Sequence, residues 1–292
     1  MLTRLLALFA LLFVVACDKA PAPQPPAGSG PALWQVERGG MKGWLFGTIH
    51  VLPKDIAWET PAIREAMAGA DRLVLEAADL QDEQKTLALF ENMGRSPGLP
   101  PLEKRVPANE VGALDKAMAD GGTNTQLLSG YESWAAAMLL SAASQQSLGV
   151  SQSAGVEPVL IAAFRKAGKP IGGLETVERQ FGAFDTLPES AQQRLLVQTI
   201  HEAKGMKALY ERILTAWVKG DMDAIAREDK IGEQPDPVVE DAILTARNRD
   251  WAKVIEPMTG RPFIAVGAGH LTGKGNLIDM LKAKGFTVTR LQ

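Results

Sequence analysis

Phe263-Ile264-Ala265-Val266-Gly267-Ala268-Gly269-His270 is the stretch from which the rest of the chain can be read. Four apolar residues read as a strand, a glycine ends the run, and a histidine follows three residues later. The same order occurs near the other end, in Trp44-Leu45-Phe46-Gly47-Thr48-Ile49-His50. Open α/β sheets bind ligands beyond the carboxyl ends of their strands, so both histidines fall where such a sheet places a site. Gly47 and Gly267 let the backbone turn or pack closely there, so that two imidazoles can be aimed at one point.

Working outward, Leu33–Glu37 and Trp44–Thr48 flank Gly39-Gly40 as a hairpin does. A helix over Pro61–Ala68 precedes a short strand, Leu73–Leu75. From about 82 to 256 helical patterns dominate, in Gln126–Ser147, Pro158–Lys166, Pro188–Lys219 and Pro237–Ile255, with one strand at Pro170–Leu174. After Phe263–Val266 come a helix over Asn276–Lys284 and a last strand, Phe286–Arg290. Strands alternating with helices at both ends predict an α/β fold. Its central sheet, built from the chain ends, is mostly parallel, and the helical middle is a large inserted lobe.

Composition narrows the function. With 292 residues, 46% hydrophobic and 22% charged, the chain is neither disordered nor collagen-like. Its one cysteine rules out a disulfide scaffold or cysteine-cluster metal site. A net charge of −3 gives no electrostatic reason to bind nucleic acid. Residues 1–16 read as a signal segment: Arg4, then an apolar run from Leu5 to Val15 that is too short to span a bilayer. Val14-Val15-Ala16-Cys17 resembles a lipobox, which implies a lipid-modified Cys17 and a membrane-anchored envelope protein facing the periplasm, the alternative being an ordinary signal peptide cut nearby with Cys17 incidental. Asp18 favours the inner membrane. The Pro/Ala-rich stretch to residue 32 reads as a flexible tether, and residues 33–292 as the folded domain.

Several patterns fail. His201-Glu202 has Gly205 where a zinc-protease helix needs its second histidine, so His201 reads as a solvated helix residue. Gly267, Gly269 and Gly273 miss the dinucleotide spacing by one residue, Gly273-Lys274-Gly275 lacks the Ser or Thr of a phosphate loop, and no serine sits in a nucleophile elbow. What stands is two histidines. Two imidazoles and a carboxylate form a common ligand set for a catalytic divalent metal with an open position for water. Glu76 is the best carboxylate, since it ends the strand Leu73–Leu75. Glu175 also follows a strand, but charge placement at the helix beginning near Thr176 explains it equally well.

The stretches Leu45–Pro53 and Val266–Gly273 closely resemble the paired GxxH motifs of the TraB/GumN family, which is related to the Tiki proteins. Ala70–Glu76 is similar to that family's Ala-Asp-x-Leu-x-x-Glu segment. Gly168–Thr176, with Glu178 and Gln180, resembles its middle motif, and Arg247-Asn248 its Arg-Asn pair. The resemblance implies a metal-dependent hydrolase, a peptidase above all, with Mn or Co as metal and Zn as a further candidate. It names His50, His270 and Glu76 as metal ligands, with Glu76 as ligand or general base. Arg247 and Asn248 are implied as supporting catalytic residues, and a peptide or protein as substrate. The alternative is a non-enzymatic envelope binder that sequesters a peptide, metal or cofactor in the same cleft.

Overall fold

The computed structural model describes residues 30–53, 55–146, 148, 155–228 and 236–292. The expected signal segment (residues 1–16), Cys17 and the tether as far as residue 29 lie outside the described residues. The tether's expected end at residue 32 moves forward: Gly30, Pro31 and Ala32 are buried, and Gln292 Nε2 donates to the Pro31 carbonyl at 2.8 Å.

Leu33–Arg38 (β1) and Met41–Thr48 (β2) form the hairpin, which turns through Gly39 at φ 55°. Pro61–Gly69 (α1) starts at Thr60, whose hydroxyl accepts from the Ile63 N–H, and leads into β3, Arg72–Ala77. The lobe then begins with Glu83–Met93 (α2), Val111–Asp120 (α3), Thr125–Leu128 (α4) and Ser133–Gln146 (α5). Val156–Lys166 (α6) precedes β4, Ile171–Glu175. Val177–Asp185 (α7), Glu189–Val218 (α8) and Met222–Glu228 (α9) continue the helical middle. Pro237–Glu240 (α10) runs through a π-helical turn at Asp241–Thr245 into Ala246–Ile255 (α11). Pro262–Gly267 (β5), Leu277–Ala283 (α12) and Thr287–Arg290 (β6) finish the chain.

The sheet has six strands in the order β4-β3-β5-β2-β1-β6. Neighbours among β4, β3, β5 and β2 pair in parallel, whereas β1 is antiparallel to both β2 and β6, so the sheet is mixed around a parallel centre. The two motif strands lie side by side, with Gly47 opposite Val266 and Thr48 opposite Gly267. Their burial explains their composition: Leu45, Phe46, Phe263, Ile264 and Val266 are all fully enclosed.

A single core surrounds the sheet and includes Phe46, Phe263, Trp217 and Trp251. The lobe has its own, centred on Phe90, Tyr131, Trp134 and Phe181. The 30-residue helix α8 joins them, burying Leu196 and Ile200 in the lobe core and Ala216 and Trp217 in the sheet core. The expected single helix over Gln126–Ser147 is two helices. Between them the Glu132 N–H bonds the Gly94 carbonyl at 2.7 Å and the Tyr131 ring is buried against Phe90, so tertiary contacts outweigh helical propensity there.

Candidate functional site

The parallel centre of the sheet brings the expected residues to one edge. Glu76 is the penultimate residue of β3, Glu175 ends β4, His50 follows β2 by two residues, and His270 sits in the 3-10 turn Ala268–Leu271 directly after β5. Helix α11 lays Arg247, Asn248 and Trp251 beside them, all three buried. Their spacing places them on one helical face.

His270 is the best-defined member. Asn248 Nδ2 donates to the Gly275 carbonyl at 2.9 Å, which turns Asn248 Oδ1 toward His270 Nδ1, 2.7 Å away. Nδ1 therefore carries the proton and Nε2 keeps its lone pair. The Trp251 ring packs on the imidazole at 4.3 Å between centroids. Burial penalises the imidazolium and, with the positive charge of Arg247, outweighs the pull of Glu76, so the His270 pKa falls to about 4. At neutral pH the ring is uncharged.

Glu76 is held from two sides. Its Oε1 accepts the Gly267 N–H at 2.7 Å, and its Oε2 accepts Arg247 Nη2 at 2.7 Å and Gln180 Nε2 at 3.3 Å. Burial disfavours the carboxylate, but the cationic neighbours and the Gly267 N–H overcome it and bring the pKa to about 2. Because His270 is uncharged at neutral pH, Arg247 is the close cation that keeps Glu76 ionised there. Glycine at 267 eases this approach: a Cβ would stand 3.2 Å from Glu76 Oε1, tighter than ordinary contact. At Gly47 a Cβ would stand 3.3 Å from the Ala268 Cα, and the Gly47 carbonyl accepts Trp217 Nε1 at 2.8 Å. Each motif glycine thus has its own steric reason.

Arg247 ties the group together. Nη2 bonds both Glu76 and Glu175 (2.5 Å), Nε bonds Glu175 at 2.9 Å, and Nη1 donates to His270 Nε2 at 3.3 Å and to the Ile243 carbonyl at 3.0 Å. Glu175, for which helix-start charge placement was an equal explanation, is a direct partner of this arginine. His50 takes a different partner. Its Nδ1 lies 3.1 Å from Glu157 Oε1, which also accepts the Thr48 hydroxyl at 2.5 Å. Glu157 raises the His50 pKa to about 9 against the desolvation that lowers it. The His50 side chain remains 68% exposed at the mouth of the edge, where water screens the pair.

Glu76, His270, Arg247, Asn248, Glu175 and Gly267 are therefore one bonded cluster, and His50 stands beside it within reach of its charges. Sequence reasoning missed Glu157 and Trp251. Trp251 lies four residues after Arg247, a spacing that signals a shared helical face. Glu157 carries no comparable signal, because an acid in a helix's first turn is ordinary. His201 is corrected: it is half-buried, its Nε2 2.8 Å from Glu110 Oε2. Recesses of about 780 Å³, beside Asp79, Asp82, Arg165 and Lys169, and about 430 Å³, beside Asp120 and Lys204, include no residue of the cluster.

Among the described residues, no group of three or more His, Cys, Asp or Glu side chains is placed to hold a metal. The reason is visible in the contacts. The arginine cation lies against the His270 lone pair and both carboxylates, while His50 is turned to Glu157 and held protonated. As arranged, the expected set of His50, His270 and Glu76 does not fit a metal. Nor is any helix among the described residues long and apolar enough to cross a membrane.

Comparison with known proteins agrees with the motifs that built this edge. "Uncharacterized protein YbaP" of Escherichia coli (strain K12) is 27% identical over 267 residues, covering 86% of this chain and 97% of that protein. The protein of the same name from Shigella flexneri is 27% identical over 255 residues, covering 86% and 92%. No solved structure matches. The TraB/PrgY/gumN family model matches residues 32–290, a span that takes in both GxxH strands, Glu76, Glu175 and the Arg247-Asn248 pair, and the chain belongs to that family.

Proposed function

We propose that this protein is a hydrolase of the cell envelope, with peptide bonds as its substrate class, working at the carboxyl edge of the sheet. The observation that carries the reading is His270: a buried imidazole with its tautomer fixed by Asn248, its Nε2 lone pair accepting from Arg247 Nη1 at 3.3 Å and Glu76 Oε1 3.9 Å away. Burying three charged side chains beside it costs several kcal/mol per ion in desolvation. A fold needing only stability would do as well with apolar residues there, so the cluster is best explained by chemistry.

The residues divide the work. When an attacking water replaces the Arg247 Nη1 hydrogen bond at His270 Nε2, that nitrogen takes the water's proton and passes it to the leaving amine as the C–N bond breaks. Glu76, 3.9 Å from Nε2, stabilises the imidazolium that forms. Arg247 supplies positive charge for a developing oxyanion. His50, cationic and exposed, offers a proton donor or a carboxylate contact at the mouth. Cys17 is proposed as the lipid anchor.

The test is cleavage of a diverse synthetic peptide pool by the purified mature chain, with chelator or with each metal added. New peptide termini that vanish in His270→Ala support the hydrolase. Retention of intact peptide without cleavage would replace it with the binder.

A further inference from the structure

The guanidinium of Arg247 stands where the donor groups of this edge converge. Two carboxylates and one imidazole lone pair surround it: Glu76 Oε2 at 2.7 Å, Glu175 Oε1 at 2.5 Å and His270 Nε2 at 3.3 Å. Oxygen and imidazole donors in this combination are a divalent-cation set when nothing fills the space between them. Here the space holds a cation that belongs to the chain. Its side chain is only 6% exposed and those of Glu175 and Glu76 5% and 11%, so bulk water contributes little and the charges must be balanced from within.

The arginine is also held from behind. The Trp251 ring lies 4.7 Å from its Cζ, and the Ile243 carbonyl accepts from Nη1. Ile243 lies in the π-helical turn Asp241–Thr245, which ends two residues before Arg247. Single π turns inside α-helices are rare and concentrate at functional sites. In a regular α-helix residue 243 would share α11's hydrogen-bond ladder undisturbed; the wider turn resets the phase of the helix just ahead of Arg247.

We infer that Arg247 is the built-in cation of this site, occupying the place a divalent metal would take, and that it keeps metal out of the Glu76–Glu175–His270 set in the native chain. The consequence for turnover, charge stabilisation without a metal, rests on the hydrolase reading; the occupancy of the site does not.

Equilibrium dialysis of the mature chain against Mn, Co or Zn separately, with bound metal measured by elemental analysis, tests the inference. The wild-type chain is expected to retain no equivalent that depends on His270, so that wild type and His270→Ala bind alike. Arg247→Ala, shown folded by circular dichroism, is expected to gain about one equivalent, and Arg247→Ala/Glu175→Gln to lose it again. One equivalent on the wild-type chain that disappears in His270→Ala or Glu76→Gln would overturn the inference, as would a folded Arg247→Ala that binds none. Should Arg247→Ala fail to fold, the wild-type and His270→Ala comparison decides alone. Peptide cleavage plays no part in these readings, so a failure of the hydrolase proposal leaves them standing.

Discussion

Replacing Arg247 by methionine removes the cation and keeps most of the side-chain volume. Two carboxylates, Glu76 and Glu175, are then left buried at the sheet edge without their ion-pair partner. Breaking a buried pair from one side typically costs about 3–5 kcal/mol, because the remaining charge is uncompensated. In a domain of this size that is a fall in melting temperature on the order of 10 °C. The sign of the pH dependence follows from Glu76. Its native pKa of about 2 lies below the ordinary 4.5, so its stabilising contribution is full above 4.5 and lost as pH falls toward 2. Without Arg247 burial pushes the same carboxyl upward, so the penalty of the substitution is greatest at neutral pH and shrinks as acid protonates it. Adding Glu76→Gln and Glu175→Gln to the methionine variant should recover most of the loss, since no buried charge is left unpaired. Urea unfolding followed by tryptophan fluorescence at pH 7 and pH 4 measures all three chains. A loss under about 1 kcal/mol at pH 7, or one that grows in acid, would refute the reasoning, since a partner for buried charge is worth more than that.

Other consequences are open to measurement. Glu157→Gln should let the His50 pKa fall from about 9 toward its ordinary 6.5, as read by NMR titration of the ring; an unchanged value contradicts the pairing. His270 is lowered from 6.5 to about 4, so its contribution is present above 6.5 and lost as pH falls to 4, worth roughly 3 kcal/mol at most. His270→Gln should flatten the stability profile across that window, and an unaltered profile would count against a buried neutral imidazole. Trp251→Ala opens space beneath His270 and Arg247 and should cost about 3–5 kcal/mol in chemical unfolding; a cost near zero would mean that the ring is not packed as described.

Much of this site was legible because parallel strands send their carboxyl ends to one edge. The runs ending at His50, Glu76, Glu175 and His270 carry strand patterns that need no tertiary information, and the edge they share follows from the sheet class. A sheet beside a helical lobe could be read for the same reason, but β4 joins that sheet from the middle of the chain and α6, α9 and α11 pack on the sheet core rather than in the lobe. What stayed hidden depends on side-chain direction. Nothing local says that His50 turns to Glu157 rather than to His270, because Glu157 arrives on α6, more than 100 residues further along the chain. The merging of Glu175 and Glu76 onto one arginine likewise depends on how α11 is phased, which the π-helical turn at Asp241–Thr245 adjusts. The break between α4 and α5 was unreadable because Gly94, from the end of α2, supplies the carbonyl that competes with the helix.

The cluster around His270 is proposed to do chemistry on a bound substrate. The most direct test of that proposal compares rates of peptide-pool cleavage by the wild-type chain and by His270→Ala, both shown folded. Removing a positioned general base predicts a loss of roughly 10²–10⁴-fold with the fold intact. Cleavage at an undiminished rate in the folded His270→Ala chain would contradict it.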